Sequence, residues 1–163
     1  MTGRPPRPDA GLTAAELRAW RGVIETTALL RYRLDKLLMA DSGLSGSDYP
    51  ILVALYESEQ PQLRSSELAD RIGWERSRLS HQLGRMERRG LLCRAGDQSD
   101  SRGSNVSLTE LGTQTFLRAT VAHSDAVRTH FVDALTDRQL TELGDIMAAL
   151  ADHLDTSTPD ASH

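Results

Sequence analysis

The chain has 163 residues, 39% of them hydrophobic and 26% charged, enough for one compact core plus an association surface and too few for two large domains. Its formal net charge of −4, taken alone, argues against nucleic-acid binding, and its one cysteine excludes an intrachain disulfide. The opening MTGRPPRPDAGL lacks the apolar centre of a secretory signal, and no run approaches the roughly 20 apolar residues of a membrane span. These features lead to the expectation of a cytoplasmic protein with no membrane partner.

Residues 1–11 and 156–163 are polar and proline-containing and are expected to be disordered tails. Thr13-x-x-Glu16 is a capping box. It opens a long first helix through Leu17, Trp20, Ile24, Leu30, Leu34 and Leu37-Leu38 to about Ala40. Ser45 is expected to start a second helix through Ile51, Leu52, Leu55 and Tyr56, with Pro50 awkwardly inside its first two turns.

The stretch from Ser65 to Gly112 is the most informative. Leu68, Ala69 and Ile72 mark one face of a short helix, and Gly73 ends it where a positive φ is wanted. In the helix that follows, at roughly 100° per residue, Leu79, Leu83 and Met86 share a narrow arc that must face the core. Ser77, Arg78, His81, Arg85 and Arg88 share the opposite arc, with Gly84 as a flat spot among them. A donor-rich face of this kind suits the major groove of DNA, where arginine can pair with guanine O6 and N7 or neutralise a phosphate. The candidate DNA contacts here are Arg76, Ser77, Arg78, Ser80, His81 and Arg85, with Arg94 in the strand beyond. From Arg64 to Gly103 nine arginines stand against six acidic residues, so this segment carries +3 and the remainder −7. The basic footprint is therefore local, as expected of a site-selective binder.

Leu91 to Arg94 and Asn105 to Leu108 read as two strands joined by a polar turn, a hairpin wing after a helix-turn-helix. Arg102 at the tip suits a narrow minor groove, Asp100 can hold its guanidinium by a charge-assisted hydrogen bond, and Gly103 permits the turn. Asp100 and Arg102 complete the candidate DNA-contact set.

These residues resemble the MarR family of winged helix-turn-helix transcriptional regulators. The resemblance rests on Glu67-Leu68-Ala69, on Glu87-Arg88-Arg89-Gly90-Leu91, and on the wing pattern Asp100-x-Arg102-Gly103-x-x-Val106-x-Leu108-Thr109-x-x-Gly112. The matching helix order covers roughly residues 12 to 155. It implies a mainly α fold, with a two-stranded β-wing and long terminal helices forming a dimerisation domain. Residues 45–108 would form the DNA-binding domain, and 12–42 with 109–155 the dimerisation region. It also implies a homodimer on a pseudo-palindromic operator in double-stranded DNA, usually a repressor released by a small molecule, such as an aromatic or phenolic ligand, or by an oxidant.

Thr109 opens a fifth helix through Phe116, Val121, Val127 and Phe131, and Thr136-x-x-Gln139 is a second capping box. After it Leu140, Leu143, Met147, Leu150 and Leu154 recur at spacings of three and four, a heptad seam. A seam needs a partner, and two reading heads about one helical turn apart on DNA require a dimer. Helices one, five and six, with Leu17 and the seam residues, are read as that interface, the alternative being packing within one chain.

Cys93 reads as a small buried hydrophobe in the first wing strand. Redox-sensing members of the family carry their reactive cysteine in the first helix, where this chain has none, so peroxide sensing is not expected. His123 and His130 lie about 10 Å apart along a helix, too far for one tetrahedral metal. They and His153 read as solvated histidines, and no metal or cofactor is expected. Trp20 and Tyr32 either pack in the core, the simpler reading, or line the crevice where this family's effectors bind. No glycine-rich phosphate loop and no nucleophile elbow appears, so no enzyme is expected. A winged-helix interaction module whose basic face binds an acidic partner is the alternative function.

Overall fold

The computed structural model describes residues 11–96 and 104–157. Helix α1, Ala14–Ser42, starts at the expected capping box: the Glu16 N–H donates to the Thr13 hydroxyl at 3.2 Å, and the Thr13 N–H donates to the Glu16 carboxylate at 2.6 Å. Gly43 ends α1 in the left-handed conformation, with φ 68°. Ser45 does not begin a helix. It closes a reciprocal turn with Asp48, and α2 runs Tyr49–Tyr56 with Pro50 in its first turn. The missing proline N–H is harmless there, because the first helical N–H groups have no carbonyl to reach.

Next come β1 (Leu63–Arg64), α3 (Ser65–Ile72), α4 (Arg76–Arg88), β2 (Leu92–Gly96) and β3 (Ser104–Leu108). The three strands form an antiparallel sheet in the order β1-β3-β2, with Leu63 opposite Val106 and Leu92 opposite Leu108. The sequence pointed to the two wing strands alone; β1 is too short to show alternation. It forms because Leu63, 1% exposed, joins Val106 over the core.

Leu44, Ile51, Leu52, Leu68, Leu79, Leu83, Met86 and Leu92 make that core, none more than 2% exposed. Full burial of each such side chain stabilises by about 1.5–3 kcal/mol. Two left-handed glycines set the angles between elements. Gly73 (φ 65°) follows α3, where the Trp74 N–H reaches the Ala69 carbonyl at 2.9 Å, and Gly90 (φ 71°) follows α4, where the Leu91 N–H reaches the Met86 carbonyl at 3.1 Å. Both are Schellman closures.

Helix α5, Glu110–His130, is capped by Thr109, whose hydroxyl accepts from the Gly112 N–H at 2.9 Å and donates to the Gly90 carbonyl at 2.6 Å. A Cβ at Gly112 would collide with the Leu91 carbonyl, so only glycine lets the root of the wing meet the first turn of α5. The chain divides into two compact units, Met1–His123 and Ser124–His163, with the division inside α5.

In the first unit α1 buries only Leu38 among its described residues, leaving Trp20, Ile24 and Tyr32 between 49% and 59% exposed. In the second, a 3-10 turn at Val132–Ala134 leads to α6, Asp137–Ser157, which takes in Thr156 and Ser157 from the expected tail. The Thr136 box is present: the Thr136 N–H donates to Gln139 at 3.0 Å and the Gln139 N–H to the Thr136 hydroxyl at 3.3 Å. Ile146, Met147, Leu150 and Leu154 are between 41% and 64% exposed. No helix among the described residues is long and apolar enough to cross a membrane.

Candidate nucleic-acid interface

The two faces of α4 separate as its sequence requires. Leu79, Leu83 and Met86 are buried, and Arg76, Ser77, Arg78, Ser80, His81, Arg85 and Arg88 are exposed. Ser80, His81, Gly84, Arg85 and Arg88 line a cleft of about 450 Å³ whose other wall is Arg94 of β2. The structure thus brings most of the expected contacts together on one surface, with the wing strand beside the helix. Asp100 and Arg102 lie outside the described residues.

The guanidinium of Arg78 stacks over the Trp74 ring at 3.9 Å from its centroid. Arg94 is held differently. Its Nε and Nη2 donate to one Glu87 oxygen at 2.9 and 2.6 Å, and its backbone N–H donates to the other at 3.2 Å. The hydrogen bond from Arg94 outweighs the opposing burial and, with the nearby positive charges of Arg94 and Arg88, keeps the Glu87 carboxyl below the usual carboxylate range. The charge of Arg94 is therefore shared with Glu87, whose sequence context marked it only as part of a family motif.

Arg71 and Arg89, also of the basic segment, are used inside the chain. Arg71 Nη1 donates to the Ala54 carbonyl at 3.1 Å, and Arg89 reaches back to Asp48 and Gly43. Asp48 is fully buried and was not singled out from sequence; the readable signal was the Ser45-x-x-Asp48 spacing, which marks a capped turn. Burial pushes its carboxyl up, yet the hydrogen bonds from Arg89 and Ser45 and the charge of Arg89 together prevail and hold it below its ordinary value.

Several expectations need correcting. Cys93 is exposed rather than buried, with Sγ 3.1 Å from Ser107 Oγ, because its position in β2 points away from the core that takes Leu92. Trp20 and Tyr32 do not pack into the core of their own chain; both are more than half exposed. His123 is half-buried, not solvated: its ring lies 4.5 Å from that of Tyr49, and its Nδ1 has no hydrogen-bond partner. Burial lowers its pKa, and Asp35 offsets this in part. Among the described residues no group of histidine, cysteine and acidic side chains could hold a metal ion.

The MarR family model matches residues 42–103. AbsC, a MarR family transcriptional regulator from Streptomyces coelicolor, is 41% identical, with 90% of this chain and 98% of AbsC covered and a TM-score of 0.80. This chain belongs to the MarR family. A second MarR relative, Sco3205 from the same organism, solved in complex with DNA, is 39% identical over 96% of this chain and 95% of its own, with a TM-score of 0.83. PcaV of Streptomyces coelicolor, solved with its natural ligand, shares the fold at 24% identity and a TM-score of 0.66, with 90% of this chain and 97% of PcaV covered. No curated protein sequence matches the chain. The chain is a DNA-binding MarR family transcription regulator, and these relatives are regulators rather than enzymes.

Proposed function

We propose that this MarR regulator acts as a homodimeric repressor, each protomer laying α4 in the major groove of one half of a pseudo-palindromic operator. The observation that carries the reading is the exposed face of α4, which presents Arg76, Ser77, Arg78, Ser80, His81 and Arg85, the last three lining the cleft closed by Arg94. Arg78 and Arg85 are the base-reading pair, and Arg76 and Arg94 approach phosphates. Arg102 keeps the minor-groove role that its sequence context suggests. The DNA complex of Sco3205, at 39% identity, supports this reading over an acidic protein partner.

Dimerisation draws support from the apolar side chains left outside. Trp20 and Ile24 on α1, and Met147, Leu150 and Leu154 on α6, are each more than two-fifths exposed, more apolar surface than a lone protomer keeps in water without a use for it. Leu17 on α1, and Leu140 and Leu143 on α6, are further dimer contacts in this reading. An aromatic or phenolic ligand that lifts repression would find flat surfaces at Trp20 and Tyr32.

The test is binding to DNA from the promoter region next to the protein's own gene, titrated against an unrelated duplex, with a promoter–reporter fusion alongside. Selective binding and lowered reporter output are expected. Equal binding to both duplexes would remove the operator-specific reading, and raised output would make the protein an activator.

A further inference from the structure

A carboxylate with no exposed surface persists only where hydrogen bonds replace its water. Asp48 meets that condition through two elements. The Ser45 N–H donates to Oδ2 at 2.8 Å; from α4, Gln82 Nε2 donates to Oδ1 at 2.5 Å; and from the residue closing α4, Arg89 Nη1 donates to Oδ2 at 2.7 Å. Arg89 Nη2 then donates to the Gly43 carbonyl at 2.6 Å, so one guanidinium bridges the end of α1 and the start of α2. Gln82 is itself buried at 5% exposure.

The position of these two anchors on α4 gives them a role beyond packing. Gln82 and Arg89 are two helical turns apart, about 10 Å along the axis and nearly in line. At about 100° per residue they flank the edge of the reading face that carries Arg78 and Arg85, between that face and the buried leucines. Two fixed points on one flank set the rotation of a helix about its own axis. A rotation of about 20°, at the radius of a helical side chain, would carry an arginine head on the order of 2 Å sideways, enough to spoil a bidentate pair with guanine while leaving phosphate attraction intact.

We propose that Asp48 is a positioning residue for sequence reading: through Gln82 and Arg89 it sets the rotational setting of α4, and Arg89, despite lying in the basic segment, serves this anchor instead of contacting DNA. The proposal rests on α4 being the DNA-reading helix. It predicts that loss of the anchor lowers discrimination between sequences more than it lowers affinity for DNA in general.

The experiment compares the full-length protein with Asp48→Asn, Gln82→Met and Arg89→Met variants. Each is titrated by fluorescence anisotropy against a duplex selected from a random pool on the wild-type protein and against a scrambled duplex of the same composition, over a range of salt. The ratio of the two affinities should fall about ten-fold in each variant, scrambled-duplex binding should change less than about two-fold, and the salt slope of Arg89→Met should match wild type. A slope reduced by about one unit per head would make Arg89 a phosphate contact and overturn the proposal. So would lowered thermal stability with an unchanged ratio, since the network would then be structural only.

Where a single variant fails to fold, the pair Asp48→Asn with Arg89→Met removes both charges together and nearly keeps the volume. A folded pair with a wild-type ratio refutes the positioning role; a folded pair with a lowered ratio upholds it. Arg78→Ala and Arg85→Ala are the controls. If neither alters binding to either duplex, the reading of α4 fails; if they do and the anchor variants leave the ratio unchanged, only the anchor proposal fails.

Discussion

Arg78, in the first turn of α4, lies with its guanidinium 3.9 Å from the centre of the Trp74 ring, in the turn that precedes the helix. Trp74 is half-buried against the core, so the ring is a fixed shelf and the arginine rests on it before any DNA arrives. Pre-ordering a side chain reduces the conformational entropy that binding must remove.

Replacing Trp74 by leucine should keep most of the packing and remove the stack, weakening selected-DNA binding by about 1 kcal/mol. A double-mutant cycle with Arg78→Ala is the decisive measurement: Arg78→Ala should cost less in the Trp74→Leu background than in wild type. Strict additivity would mean that the stack has no part in binding.

Gly84 separates stability from function. It sits mid-helix on the reading cleft, and a Cβ there would meet only Arg88 Nη1 at 3.8 Å and Arg94 Nη2 at 3.9 Å, both ordinary contacts. Gly84→Ala should therefore stabilise the fold by about 1 kcal/mol. If a groove wall approaches at this point, the same change should weaken DNA binding. A variant that melts higher and binds equally well would show that the groove wall stands off from Gly84.

The α6 seam can be tested without touching the reading head. Leu143→Glu, at a half-buried site, and Leu150→Glu, at a site 47% exposed, each put a carboxylate where a partner chain would desolvate it. Sedimentation should find monomers, with operator affinity reduced because two heads no longer bind together. Dimers that bind normally would move the interface elsewhere.

Acid titration should find two separate losses of stability. His123 has a folded pKa below its ordinary 6.5, because burial disfavours the imidazolium more than Asp35 favours it. Its contribution is complete above that value and declines as pH falls through the depressed one. Asp48 is likewise depressed, below 3.8: burial opposes this, and the hydrogen bonds from Arg89 and Ser45 prevail. Its contribution is present at neutral pH and is lost at lower pH than that of His123. In melts followed against pH, His123→Gln should flatten the first decline and Asp48→Asn the second. An unchanged profile in either variant would remove that group from the account.

Much of the fold was legible in sequence wherever local rules and the tertiary structure agree. The arcs of α4, the capping boxes at Thr13 and Thr136, and the glycine after α3 each depend on residues close in the chain. What escaped depends on distance. Asp48 and Arg89 meet across 41 positions, and β1 exists through Val106 rather than through any pattern of its own. Trp20 and Tyr32 illustrate a different gap: periodicity marks a face as apolar without saying whether its own chain covers it.

Cys93 is the sole thiol of the chain and lies exposed on the wing strand. A maleimide dye or a nitroxide would therefore attach at one defined point per protomer with no need to remove other cysteines. In a dimer, the spin–spin or donor–acceptor separation between two such tags would act as a ruler from wing to wing. Read with and without a duplex, or with and without an aromatic ligand, that ruler would turn the spacing of the heads into a spectroscopic signal.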